Sequence, residues 1–180
     1  MSIKLTDFKA AVRDVCRPNR YQLSIGGAGS EGAGGWTETK TFLCKSAQLP
    51  SRTLGQIELN WQGMKTKIAG DPTFDDISVT FLADVDFEAK NFFEQWVENI
   101  SNMASNERSE HQEYKADVTL EQLGRTGEIL ASYILIGCYP TSLDAVELST
   151  ESNDTPMEFT VNLTYDFFRR SDSSGISTEV

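Results

Sequence analysis

The sequence predicts a mainly β protein built from many antiparallel strands and one substantial helix, and three observations predict it. Residues 157 to 167 alternate apolar and polar without interruption. Met157, Phe159, Val161, Leu163, Tyr165 and Phe167 share one parity, and Glu158, Thr160, Asn162, Thr164 and Asp166 share the other. Successive strand side chains point to opposite faces, so this is a long strand with a dry face and a wet face. Shorter alternating runs recur along the chain between breaks containing Gly or Pro. The strong helical repeat falls at 86–103, where apolar residues return at three- and four-residue spacing.

Taken in order, residues 4–15 predict a short N-terminal helix through Leu5, Phe8, Val12 and Val15, broken at Arg17-Pro18-Asn19. Tyr21 to Ile25 predicts a strand, followed by a glycine-rich loop from Gly26 to Gly35. Trp36 to Cys44 predicts a returning strand with Trp36 and Phe42 on one face. Thr53 to Trp61 and Lys65 to Ile68 predict a hairpin around Gln62-Gly63, ended by Asp71-Pro72. Ile77, Val79 and Phe81 mark the dry face of the next strand.

The helix is expected to start at Asp86 as N-cap, with Glu88 at the positive end of its dipole. Ala89, Phe92, Phe93, Trp96, Val97, Ile100 and Met103 form its apolar stripe, and Lys90, Glu94, Glu98 and Asn99 its polar side. Tyr114, Ala116, Val118 and Leu120 alternate as a further strand, and Gly124 to Gly127 turns the chain. Ile129 to Cys138 is apolar on both parities, which asks for cover on both faces. Pro140 is expected to end it, and Leu143 to Leu148 to add a short strand. Residues 1–170 then form one domain, with 171–180 a Ser-rich, apolar-poor flexible tail.

Composition narrows the function classes. A 39% hydrophobic content is globular, and a net charge of −11 argues against a basic grip on nucleic-acid phosphates. Asp7, Arg13 and Asp14 interrupt the stretch a signal peptide keeps apolar, and no run is long enough for a membrane span. A cytosolic start without a membrane partner is the expectation. Three scattered cysteines, Cys16, Cys44 and Cys138, fit free thiols better than a disulfide framework.

The chemical motifs fail on inspection. Gly27, Gly29 and Gly32 match a dinucleotide fingerprint, but Trp36-Thr37-Glu38-Thr39 reads as strand where the pyrophosphate needs a helix N-terminus. Asp84, Asp86 and Glu88 open like a calcium loop, yet Ala89 stands where a sharp turn wants Gly. The single His111 lies in a polar stretch without a nucleophile motif or zinc spacing. No catalytic, metal-binding or cofactor-binding residues are assigned, and no enzyme is expected.

The wet parity of the closing strand carries acids, hydroxyls and an amide but neither Lys nor Arg. Read from the residues, it is either the outer wall of a sheet or the lining of an anionic surface or channel. The two-faced segment at 129–138 and strand edges with few prolines fit an oligomer joined edge to edge, or a closed monomeric barrel binding a ligand inside. The hairpin exposes Trp61 and concentrates Lys65 and Lys67 in an acidic chain, which suits docking onto an acidic neighbour.

An ordered set of segments resembles the tail tube proteins of contractile-tailed bacteriophages. These are Arg17-Pro18-Asn19-Arg20-Tyr21, Leu49-Pro50-Ser51-Arg52-Thr53, and Phe74-Asp75-Asp76 with Val79 to Phe81. Phe92-Phe93 with Trp96, Tyr139-Pro140-Thr141-Ser142, and Glu147-Leu148-Ser149 with Phe159 complete it. Ser51 stands where the family pattern has Gly. The resemblance implies a β-sandwich or half-barrel with a flanking helix, in homo-hexameric rings stacked into a tube in the virion. Its implied partners are the tail sheath, tape-measure, baseplate and tail-terminator proteins, with DNA passing through unbound and assembly in the host cytoplasm. It makes Glu158, Thr160, Asn162, Thr164 and Asp166 lumen candidates, and Arg52, Trp61, Lys65 and Lys67 candidates for ring stacking or a subunit interface. A tube subunit of a type VI-like or other contractile injection machine is the neighbouring reading.

Overall fold

A computed structural model describes residues 16–27, 33–146, 148–151 and 153–172. The expected helix at 4–15, the glycines at 28–32 and the last eight residues lie outside them. The elements are β1 (Tyr21–Gly26), α1 (Glu38–Phe42), β2 (Cys44–Ala47), β3 (Arg52–Trp61), β4 (Met64–Phe74), β5 (Ile77–Leu82) and α2 (Glu88–Ile100). They continue as α3 (His111–Tyr114), β6 (Ala116–Leu123), β7 (Ile129–Leu143), β8 (Glu158–Thr164) and β9 (Phe167–Asp172). Seven strands form an antiparallel sheet in the order β1-β6-β7-β8-β5-β2 with β9 also on β7, and β3-β4 stand apart as a two-stranded hairpin. The expected mainly β fold with one amphipathic helix is what the chain adopts.

The sheet has two halves that share β7. Its first part pairs with β6 and β9, and residues 139–143 pair with β8. The strand bends at Gly137, whose φ is +68°. A Cβ there would sit 2.3 Å from Asp166 Oδ2, so only glycine permits both the left-handed backbone and the carboxylate beside it. Pro140 does not end β7. It faces Leu163 within the strand, and a register shift before Ser142 absorbs it, the usual accommodation for a strand proline. Strand β7 ends at Leu143, so among the described residues the short strand expected to Leu148 does not form, and Leu148 is exposed.

The dry parities meet in one core. Leu23 and Ile25 of β1, Val118 and Leu120 of β6, and Ile77, Val79 and Phe81 of β5 are buried with Phe159, Val161 and Leu163 of β8. Val79 lies opposite Val161, and Phe81 opposite Phe159. Helix α2 adds Ala89, Phe92, Phe93 and Trp96, with the Phe93 ring 5.1 Å from that of Phe81. Full burial of such side chains contributes about 1.5–3 kcal/mol each, which is why the stripe holds the helix to the sheet. Asp86 is not its cap. Phe87 takes a left-handed turn at the entrance, and Asp84 Oδ1 accepts the Glu88 N–H at 3.0 Å. The helix ends at Ile100, so Met103 leaves the stripe and is exposed.

Three further segments depart from expectation. Trp36 to Cys44 is not a strand: its middle is α1, because Trp36 Nε1 donates to Thr41 Oγ1 at 2.9 Å and Lys40 Nζ to the Gly35 carbonyl at 2.8 Å. Trp36 packs edge-on against Phe81, Phe92 and Phe93, while Phe42 is exposed. A helix therefore does follow the glycine loop, and what excludes the dinucleotide fold is the antiparallel pairing of β1 with β6. Strand β4 runs past Asp71-Pro72 to Phe74, since a two-stranded ribbon leaves an outer edge where proline costs no ladder bond. Finally, the alternation at 157–167 is not one strand. Tyr165 and Asp166 form a corner, β9 crosses to the other half, and Phe168 rather than Phe167 packs on the core. Strand β9 also takes in Ser171 and Asp172, where the tail was expected to begin.

Candidate functional site: a polar sheet face and an exposed hairpin

Four antiparallel strands, β2, β5, β8 and the end of β7, share one polar face. Burying Val79, Phe81, Phe159 and Val161 on the dry side turns Ser78, Thr80, Glu158, Thr160, Asn162 and Thr164 to the other. These groups bond across the strands. Ser78 Oγ donates to Asn162 Oδ1 at 2.7 Å, Asn162 Nδ2 donates to Ser142 Oγ at 2.9 Å, and the hydroxyls of Thr80 and Thr160 lie 3.2 Å apart. Glu158 forms an ion pair with Lys45 of β2. Asp166 sits off β8, at the corner, and takes the Lys115 ammonium at 2.6 and 2.8 Å. That bond holds Lys115 above the ordinary lysine value. Of the five residues read from the sequence, the structure keeps Glu158, Thr160, Asn162 and Thr164 on one strand face and moves Asp166 to its end.

The hairpin is the opposite kind of surface. Every residue of β3 is exposed, and the turn uses Gln62 and Gly63 with φ of +47° and +85°, the two left-handed positions of a tight hairpin turn. Arg52 stands at the base opposite Phe74, and Trp61 at the tip opposite Met64. Lys65 pairs with Glu58 at 3.1 Å, and Lys67 lies opposite Glu58 in register. Ile57, Leu59 and Trp61 share a face with Met64 and Ile68, all about half exposed or more. Sequence reading found the tryptophan and the lysines but not the stripe completed from β4. It also missed Lys45 and Lys115, whose acids lie far along the chain.

Among the described residues, packed aromatic side chains fill the core. Trp36, Phe81, Phe92, Phe93, Trp96 and Phe159 contact one another through their rings, and among the described residues no buried side-chain nitrogen or oxygen lacks a partner. A depression lies on the surface beside Arg17, Arg20 and Arg125. A barrel carrying a ligand in its interior does not fit this packing.

Known proteins agree. The phage tail tube protein family model matches residues 16–171. Tail tube protein gp19 of Enterobacteria phage T4 is 30% identical over 158 residues, which cover 86% of this chain and 91% of that protein. A chain of the PVC sheath–tube complex, an extracellular contractile injection system, superposes with a TM-score of 0.67 at 18% identity, covering 95% of this chain and 99% of its own. The fold also recurs in the sheath/tube terminator of the same system (TM-score 0.67, 18% identity, 88% and 97% covered) and in an anti-feeding prophage baseplate (0.62, 11%, 88% and 97%). The chain belongs to the phage tail tube protein family and is a structural tube subunit of a phage tail, a virion component, not an enzyme.

Proposed function

We propose that six copies close into a ring through the four-stranded polar half, that its wet face lines the channel, and that rings stack through the hairpin. The observation that carries this is the strand arrangement. Antiparallel order makes the two end strands, β2 and the last residues of β7, run in opposite directions. Placing β2 of one copy beside β7 of the next therefore continues an antiparallel sheet, and closure removes both edges. The number six comes from the family resemblance.

Glu158, Thr160, Asn162 and Thr164 then face the channel, with Asp166 at the rim of that face. Arg52, Trp61, Lys65 and Lys67 meet the next ring. The tube would work with sheath, tape-measure, tail-terminator and baseplate proteins, pass DNA without binding it, and assemble in the host cytoplasm; support is the presence of similar chains in sheath–tube, terminator and baseplate assemblies. Electron microscopy of the purified protein tests this, with rings or tubes expected. A monomer that persists at high concentration in physiological salt, and forms no tube with tail components present, overturns it.

A further inference from the structure

Both acids read onto the wet face meet a lysine from another element. Lys45 reaches from the edge strand β2 to Glu158 on β8, past the intervening β5. Lys115, just before β6, holds Asp166 at 2.6 Å at the corner beyond the end of β8. Between them the Asn162 amide bonds the hydroxyls of Ser78 and Ser142, and the hydroxyls of Thr80 and Thr160 bond to each other. The face is therefore self-bonded, with each acid balanced by a cation, rather than a row of free carboxylates.

We propose that Glu158 and Asp166 act as masks: each occupies a lysine that would otherwise bind phosphates of the passing nucleic acid. This rests on the channel reading above. The Lys45 side chain is 51% exposed, so a polyanion in the channel can reach it. Repeated in every subunit, an unmasked lysine would give a ladder of phosphate contacts, each adding affinity and salt dependence. A carboxylate on the same sheet competes at high effective concentration, because its encounter with the ammonium is intramolecular. Exposed ion pairs add little stability, so the pairs serve the surface more than the fold. The acids read from one strand thus serve to neutralise cations that other elements bring to them.

The test uses assembled tubes and a fluorescent 30-nucleotide single-stranded DNA, measured by co-sedimentation at low and at physiological salt. Glu158→Gln tubes should retain about tenfold more DNA at low salt, with the excess lost as salt rises. The double variant Lys45→Gln, Glu158→Gln should return to the parent. Should Glu158→Gln not assemble, Asp166→Asn releases Lys115 and poses the same question. No gain in either variant, or a gain that survives removal of the lysine, overturns masking. Cryo-electron microscopy of the same tubes separates the two claims: residue 158 on the channel wall without a gain sinks masking alone, whereas residue 158 on the outside sinks the channel reading with it.

Discussion

Trp96 and Trp61 have the same side chain and opposite surroundings. Trp96 is fully buried against Phe92 and Phe93, and its Nε1 donates to the Tyr114 carbonyl at 2.7 Å. Trp61 is 74% exposed at the tip of a hairpin that, among the described residues, pairs only with itself. The sheet spends its apolar surface on its own core. The hairpin keeps Ile57, Leu59, Trp61, Met64 and Ile68 in water, and two strands alone are marginally stable. A large exposed aromatic on such a ribbon makes sense where a partner covers it.

The sharpest way to break this comparison is to truncate both tryptophans. Trp96→Ala should cost about 3–5 kcal/mol through lost burial and a cavity, read as a large fall in the midpoint of thermal or denaturant unfolding. An unchanged midpoint would show the core is not where the packing puts it. Trp61→Ala should move the monomer's midpoint within about 0.5 kcal/mol, as surface substitutions do. It should nevertheless stop tube growth in electron micrographs. Normal tubes from that variant would reduce the hairpin to a solvated appendage.

A charge reversal sharpens the same contrast. Replacing Lys65 and Lys67 with Glu should leave the sheet folded and block polymerisation, because the hairpin's positive charge is what an acidic neighbour would meet. The structure adds a complication: Lys65 already pairs with Glu58, so reversal also sets like charges across the strands, a cost of a few tenths of a kcal/mol. Lys65→Gln with Lys67→Gln avoids it and should weaken growth less. Normal tubes from the Glu variant in a sedimentation assay would refute electrostatic docking and leave the apolar stripe as the stacking surface.

How far the sequence reached follows from what each segment packs against. Strands with one wet face, such as β5, β6 and β8, were legible because burial enforces a period of two. Helix α2 was legible because its stripe is wide. The α1 turn was not, since it depends on Trp36 and Lys40 reaching hydrogen-bond partners that a parity count does not contain. The corner at Tyr165 and Asp166 was hidden because alternation ran through it unbroken, and only the bend of β7 at Gly137 separates β8 from β9. On the candidate channel face, the acids were readable from one strand, but their lysines come from β2 and from the residue just before β6. Pairing across more than fifty residues leaves no local pattern.

The smallest effect expected is on the alkaline side, and it separates the two regions again. Burial pushes the Tyr21 and Tyr165 phenols up to about 12 and the Cys44 thiol up to about 11, and raises Cys138 as well. In each case the folded state holds its proton where the unfolded chain would release it. The stability this supplies is complete below the unfolded values, near 8.5 for thiols and 10 for phenols. It is lost as pH rises through the folded ones. The sheet should therefore weaken gradually from about pH 8.5 to 12, whereas β3 and β4 contain neither Cys nor Tyr and add no thiol or phenol to that slope. Tyr21→Phe removes one such group, whose hydroxyl donates to the Cys44 carbonyl at 3.1 Å, and should flatten the upper part of the curve. Unfolding midpoints followed across this range would decide it. A slope unchanged by Tyr21→Phe would mean that the β1 edge opens before the sheet does, and that the packed half is less uniform than its core suggests.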